Sequence, residues 1–406
     1  MLKTFDKFKY PLIQPRLFKD DIQKGISVLK SGQITMSKLT KKFEKDFAKY
    51  VGAKYAVMVN SGSSANLLAT CASCNPERKN KFKRNDEALI PGICWSTSLW
   101  PLIQFGLKPV FVDIDPNTLN MDINDLKRKI SKNTKVIFCV HVLGNSSDIS
   151  LIKKISKKKK IIIIEDTCES LGSEFKNKKL GTFGDFGTYS FYYSHQISSG
   201  EGGMIVCNDK NDYKILLSLR AHGWSRDRDD HKKFVKKYPN IDPRFIFINY
   251  GFNVRALEIQ AAIAHQQLKK INILKKNRNF NRSQIIKLFL GNKKNNKKIT
   301  FIQEAKNVKC NWFGVPILIS KNLKKYKNKI IQMIEKKGIE TRPIISGNFI
   351  NQPAIKLFKL NEKKVKLKNC QDVEERGFFI GINSLKTDKK ILRFVANSLN
   401  QVLDNF

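Results

Sequence analysis

The chain alternates short apolar runs with longer amphipathic stretches. Residues 55–60 (YAVMVN), 87–91 (EALIP), 109–113 (PVFVD), 135–140 (KVIFCV) and 161–164 (IIII) are apolar almost throughout. Continuous hydrophobicity of this length suits strands buried on both faces of a parallel sheet. Helical patterns stand between them: one carries Phe43, Phe47 and Tyr50, another covers 65–74 after the turn Ser61-Gly62-Ser63-Ser64. Strands alternating with helices predict an α/β domain whose ligand groups gather at strand C-termini. A different pattern fills 188–203, TYSFYYSHQISSGEGG. An aromatic run ends at His195, and a loop of small residues leads into a second apolar run at 204–207. This predicts strand, tight loop, strand.

Further on, a helical stretch at 212–219 precedes RAHGW (220–224), and 227–243 is highly charged, as an exposed loop would be. The segment NYGFNVR (249–255) leads into a long helix carrying Leu257, Ile259, Ala262, Ile263 and Leu268. Composition turns lysine- and asparagine-rich near Lys269. The expected division is an N-terminal arm (1–30), a large α/β domain (31–268) and a smaller α+β domain (269–406). In the last, strands at 312–319 and 341–345 alternate with helices.

At 406 residues the chain can bury a large core. Its 76 Lys+Arg against 35 Asp+Glu give a net charge of +41. The lysines are spread along the chain, which suits a solvated surface and argues against a nucleic-acid patch. A general positive field would still help recruit an anionic nucleotide diphosphate. Of the eight cysteines, only Cys71 and Cys74 form a CxxC, inside a helical pattern. Buried thiols in a reducing compartment explain them better than a metal site. The first residues lack a signal-peptide pattern and no apolar run could span a membrane, so a cytoplasmic location is expected.

Three local features carry candidate chemistry. Strand, small-residue turn and helix N-terminus at 55–65 can bind phosphate through free N–H groups, or can be an ordinary serine cap. Asp166 follows a buried strand, where it is either a functional acid or a turn residue. Trp95 stands in a loop between two strands.

Their order along the chain resembles the DegT/DnrJ/EryC1/StrS sugar aminotransferase family of fold type I pyridoxal-phosphate enzymes. SGSSANLLA, EDTCESLGS, GTFGDFGTYSF, GEGGMIV and GFNVRALEIQAAI are the matching blocks. The resemblance implies a mostly parallel seven-stranded sheet flanked by helices, with a smaller α+β C-terminal domain. It also implies roles. Asp166 would meet the pyridine nitrogen, Trp95 would stack on the ring, and Glu169 would lie near the ring hydroxyl. Gly62, Ser63 and Ser190 would hold the phosphate. Asn253 would reach the phosphate bound by a neighbouring subunit, in a homodimer with shared active sites. Arg220 and Arg255 would bind glutamate carboxylates or the sugar diphosphate, or form structural ion pairs. His141 and His222 are expected to be loop or packing residues.

One position departs from the family. Its Schiff-base lysine belongs at 195, where this chain has histidine, and 181–209 contains no lysine. Histidine there resembles the family's 3-dehydratases, which remove the C3 hydroxyl of a nucleotide-linked 4-keto-6-deoxyhexose. One such group needs a [2Fe–2S] cluster and the other uses L-glutamate without iron. Cys207 is the only cysteine between 169 and 309, and YSFYYSHQ, LRAHGW, RPIISGNF and ERGFFIG resemble the iron-free group. That implies pyridoxal or pyridoxamine phosphate held non-covalently, His195 as the catalytic proton carrier, and a place in deoxysugar and surface-polysaccharide synthesis. The alternatives are a 4-aminotransferase, an iron–sulfur 3-dehydrase, or a non-catalytic sugar- or cofactor-binding protein.

Overall fold

The computed structural model describes residues 8–13, 17–361 and 365–406; the first seven residues of the expected arm lie outside them. The apolar runs form one sheet of seven strands: β1 (Tyr55–Val59), β2 (Glu87–Pro91), β3 (Lys108–Val112), β4 (Thr134–Val140), β5 (Ile162–Asp166), β6 (Phe186–Ser190) and β7 (Gly203–Cys207). Their spatial order is β1-β7-β6-β5-β4-β2-β3. β7 runs antiparallel to both neighbours, and the pairs from β6 to β3 are parallel. Every residue of β5, β6 and β7 is buried, which explains why these runs do not alternate. Burying each Val, Ile or Leu side chain here contributes about 2 kcal/mol before chain entropy is subtracted.

Helices cover both faces: α1 (Lys19–Ser31), α2 (Lys38–Val51), α3 (Gly62–Ser73), α4 (Ser96–Gln104), α5 (Lys210–Arg220) and α6 (Glu258–Leu290). α1 occupies the second half of the expected arm and packs along α6. Its buried Asp21 accepts from Gln267 (3.0 Å) and Lys270 (2.8 Å). At the start of α6, Glu258 accepts from the amides of Ser37 (2.7 Å) and Thr40 (3.1 Å) and from the Thr40 hydroxyl (2.6 Å). A buried carboxylate thus neutralises the positive end of α2.

Lys269, where composition shifts, lies inside α6. The helix has 33 residues, about 50 Å at 1.5 Å per residue. Its buried side includes Ala261, Leu268, Ile271, Leu274, Ile285 and Phe289 without a break. The shift therefore marks a change on the solvent face alone. Beyond it lies a four-stranded antiparallel sheet of β8 (Ile299–Phe301), β9 (Gly314–Ile319), β10 (Thr341–Arg342) and β11 (Gly377–Gly381), ordered β8-β9-β11-β10. The strand expected over 341–345 stops at Arg342.

Candidate active site

A cavity of about 350 Å³ opens at the C-terminal ends of the parallel strands. Gly62, Ser63, Trp95, Asp166, Glu169, Ser190 and His195 all line it. Gly62 and His195, 133 positions apart, meet here because successive strand ends and helix starts converge.

The Ser61 hydroxyl caps α3 by accepting from the Ser64 amide at 3.0 Å. The first amides of a helix have no acceptor within it, and Gly62 and Ser63 carry two of these. A Cβ on Gly62 would lie 2.6 Å from Ser190 Cβ and 2.9 Å from Cys168 Sγ. The backbone therefore approaches the end of β6 more closely than any side chain allows. Ser190 completes this cradle with its hydroxyl.

Asp166 ends β5 and is 5% exposed. Its Oδ2 accepts from Asn66 Nδ2 (2.8 Å) and Ser98 Oγ (2.7 Å), and its Oδ1 from the Cys168 amide (3.1 Å). Asn66 is held in turn by the Thr188 hydroxyl at 2.6 Å. Trp95 stands at the N-cap of α4, 56% exposed and placed at the cavity to cover a flat ligand. Glu169 accepts from the Leu143 amide at 3.0 Å. Burial pushes its pKa up to about 7, with the Leu143 bond working against it and the charge of Asp166 adding to it.

His195 sits in the turn after β6. Its Nδ1 is 3.2 Å from Ser194 Oγ, and its ring packs edge-on to Phe313 (centroids 5.3 Å apart) and Tyr192 (5.9 Å). Burial, reinforced by the positive Arg278, lowers its pKa to about 3. The imidazole is therefore neutral at physiological pH, the form that accepts a proton.

The walls fit pyridoxal phosphate. Helix amides, a hydroxyl and a glycine-wide approach form an anion cradle, a fixed carboxylate stands in the same cavity, and a flat aromatic lies at its rim. His141, expected to be a packing residue, also lines the cavity, but its Nε2 is engaged with Glu165 Oε2 at 3.0 Å.

Three expected residues lie elsewhere. Arg220 is a correction: it is 3% exposed, and its guanidinium donates to Glu44 Oε1 (2.6 Å) and the Met58 carbonyl (3.0 Å). It is a structural ion pair and does not line the cavity. Asn253 is exposed and accepts from Arg255 Nε at 3.1 Å, and neither residue lines the cavity. Sequence reasoning missed Asn66, Ser98, Phe313 and Ile345. A polar residue inside the apolar pattern of α3 was the available signal for Asn66; the others left none.

The profile of the DegT/DnrJ/EryC1/StrS aminotransferase family matches residues 15–399. GDP-4-keto-6-deoxy-D-mannose 3-dehydratase of Escherichia coli O55:H7 (strain CB9615 / EPEC) is 39% identical over 390 residues, covering 94% of each chain. A mutant GDP-4-keto-6-deoxymannose-3-dehydratase, with histidine changed to asparagine, has been solved with bound GDP-perosamine. It superposes with a TM-score of 0.88 at 37% identity, covering 97% of this chain and 100% of that one. A structure of GDP-4-keto-6-deoxymannose-3-dehydratase with a trapped PLP-glutamate geminal diamine gives a TM-score of 0.86 at 35% identity, covering 96% and 100%.

Proposed function

The chain belongs to the DegT/DnrJ/EryC1/StrS aminotransferase family, and within it we propose a glutamate-dependent 3-dehydratase of a nucleotide-linked 4-keto-6-deoxyhexose. GDP is the nucleotide that the relatives favour. The observation that carries this reading is the composition of the cavity wall. In a chain rich in lysine, the residues lining the cavity include His195 and no lysine.

Bound pyridoxal phosphate supplies a carrier for the amino group of glutamate and a ring that accepts electrons during bond breaking. The chain's residues do the rest. Gly62 and Ser63 amides with the Ser190 hydroxyl hold the phosphate. Asp166 keeps the ring nitrogen protonated, and Asn66 and Ser98 fix the direction of its carboxylate. Trp95 shields one ring face from water, and Glu169 borders the ring hydroxyl. With Nδ1 beside Ser194, His195 offers Nε2 to the reacting carbon, takes up a proton there, and delivers it to the departing C3 hydroxyl. A histidine cannot form the covalent link that a lysine would, so the cofactor is held non-covalently.

We assign Asn253 and Arg255 to the neighbouring subunit's cavity in a homodimer, supported by the exposure of Asn253 on this one. The reaction is read as independent of an iron–sulfur cluster because the segment after GEGG offers Cys207 alone. All eight cysteines are free thiols, which suits the cytoplasm. Among the described residues no helix is long and apolar enough to cross a membrane.

Incubation with L-glutamate and a panel of nucleotide-linked 4-keto-6-deoxyhexoses tests the reading, with mass spectrometry of the products. Loss of the C3 oxygen and release of 2-oxoglutarate are expected; transfer of nitrogen to the sugar would indicate an aminotransferase. Borohydride reduction followed by peptide mapping should yield no pyridoxyl-lysine, and finding one would overturn the role of His195.

A further inference from the structure

Ile345 has φ +49°, a backbone region that β-branched residues rarely occupy. It is the first central residue of a turn closed by the Gly347 amide on the Ile344 carbonyl at 2.9 Å. Glycine is the usual occupant of such a place when φ is positive. Two bonds fasten the turn. The Ser346 hydroxyl donates to the Cys94 carbonyl (2.6 Å), and the Phe349 amide donates to the Gly92 carbonyl (2.8 Å). Both acceptors precede Trp95, so a turn from the small half is clamped onto the cofactor floor of the large half. Strained residues of this type persist only where their surroundings over-determine them, and they concentrate at ligand clamps. The result places Ile345 on the cavity wall with Phe313, whose ring stands against His195. The wall made by Ser61, Gly62, Ser63 and Asp166 is polar; the wall made by Ile345 and Phe313 is apolar.

We propose that Ile345 and Phe313 form a seat for the C6 methyl of the sugar and thereby select 6-deoxy over 6-hydroxy hexoses. This rests on the 3-dehydratase reading and assigns the specificity of that site. Among the ring substituents of a 4-keto-6-deoxyhexose, the C6 methyl alone has no hydrogen-bonding atom. The methyl is carried by C5, which flanks C4 on the side opposite C3, two bonds from the carbon that reacts with the cofactor; with His195 serving C3, it falls within reach of the apolar wall of the same cavity. A C6 hydroxyl seated there would be buried without a partner, which disfavours it.

The test is calorimetric binding of GDP-6-deoxymannose and GDP-mannose, which differ only at C6, to the cofactor-loaded protein. The native protein should prefer the 6-deoxy sugar by roughly 10- to 100-fold, the range for a hydrophobic pocket facing an added hydroxyl. Ile345→Gly accepts the positive φ while removing the side chain, and should bring the ratio close to one with no loss of Tm. Ile345→Val should retain the preference. An equal ratio in native protein and Ile345→Gly would overturn the proposal. If the native protein dehydrates no sugar yet shows a preference that Ile345→Gly loses, the seat stands and the catalytic reading falls. If dehydration proceeds and the ratio does not move, the reverse holds.

Discussion

Glu165 and Asp166 are neighbouring buried carboxylates on one strand, and because strand side chains alternate they serve opposite faces of the sheet. Glu165 accepts from His141 Nε2 (3.0 Å) and from the amides of Gly181 (2.9 Å), Phe183 (2.6 Å) and Gly184 (2.7 Å). That fills the four acceptor sites of a carboxylate. Burial opposes its charge, but His141 and these amides outweigh it and lower its pKa. Asp166 has three donors and borders the cavity. The two histidines differ in their partners: His141 Nε2 is held by the carboxylate of Glu165, whereas His195 Nδ1 meets only the Ser194 hydroxyl. Burial and hydrogen bonding are common to both carboxylates. What separates structure from chemistry is a remaining open side, directed into a space large enough for a ligand.

The largest test of this contrast is His195→Asn. It should lower dehydration by about 10²- to 10⁴-fold, the usual contribution of a positioned proton carrier, while the cofactor's absorbance shows that it remains bound. Turnover within a few-fold of native would remove His195 from the mechanism. Next, Glu165→Ala breaks the closed side and strands His141 and three amides. A loss of about 3–5 kcal/mol is expected from denaturant unfolding, well beyond that of Asp166→Ala, which should instead release the cofactor. Equal losses of stability would erase the distinction between the two acids. Gly62→Ala pushes a methyl into Ser190 and Cys168; overpacking of this kind costs about 1–3 kcal/mol, and cofactor affinity measured by titration should fall with it.

A further test concerns pH. His195 has a folded pKa of about 3 against an ordinary 6.5, so between these values the unfolded chain binds a proton that the folded one refuses. Stability therefore falls as pH drops from 6.5 toward 3. Glu169, raised to about 7 from 4.5, works the other way: the folded chain holds the extra proton, and stability falls as pH rises from 4.5 to 7. Unfolding midpoints should accordingly fall less in acid for His195→Asn than for the native protein, and fall less on approaching neutrality for Glu169→Gln.

That Gly62, Ser63, Trp95, Asp166, Glu169, Ser190 and His195 share one cavity was legible through the family resemblance; locally, SGSS also reads as a plain helix cap and Asp166 as a turn residue. The rest depended on distant partners. Nothing near Arg220 in the chain announces Glu44, 176 positions away, so sequence left a substrate ligand and a structural ion pair equally open. Ile345 stands in RPIISGNF, which reads as the end of a short strand, and nothing in that segment announces that Gly92 and Cys94 supply acceptors for its turn. The boundary at 268/269 reflected lysines on one exposed helix face, a surface property that carries no information about where the backbone bends.

That uninterrupted α6 gives the cleft the mechanics of a vice cut from one block. Near its start Glu258 grips α2, and two-thirds of the way to its end Arg278 donates to the Trp312 (2.8 Å) and Phe313 (2.7 Å) carbonyls, holding the jaw that faces His195. A hinge between the halves would have to bend this rod. Opening the cleft as a rigid-body movement would therefore cost the bending of this helix or the loss of the Arg278 bonds.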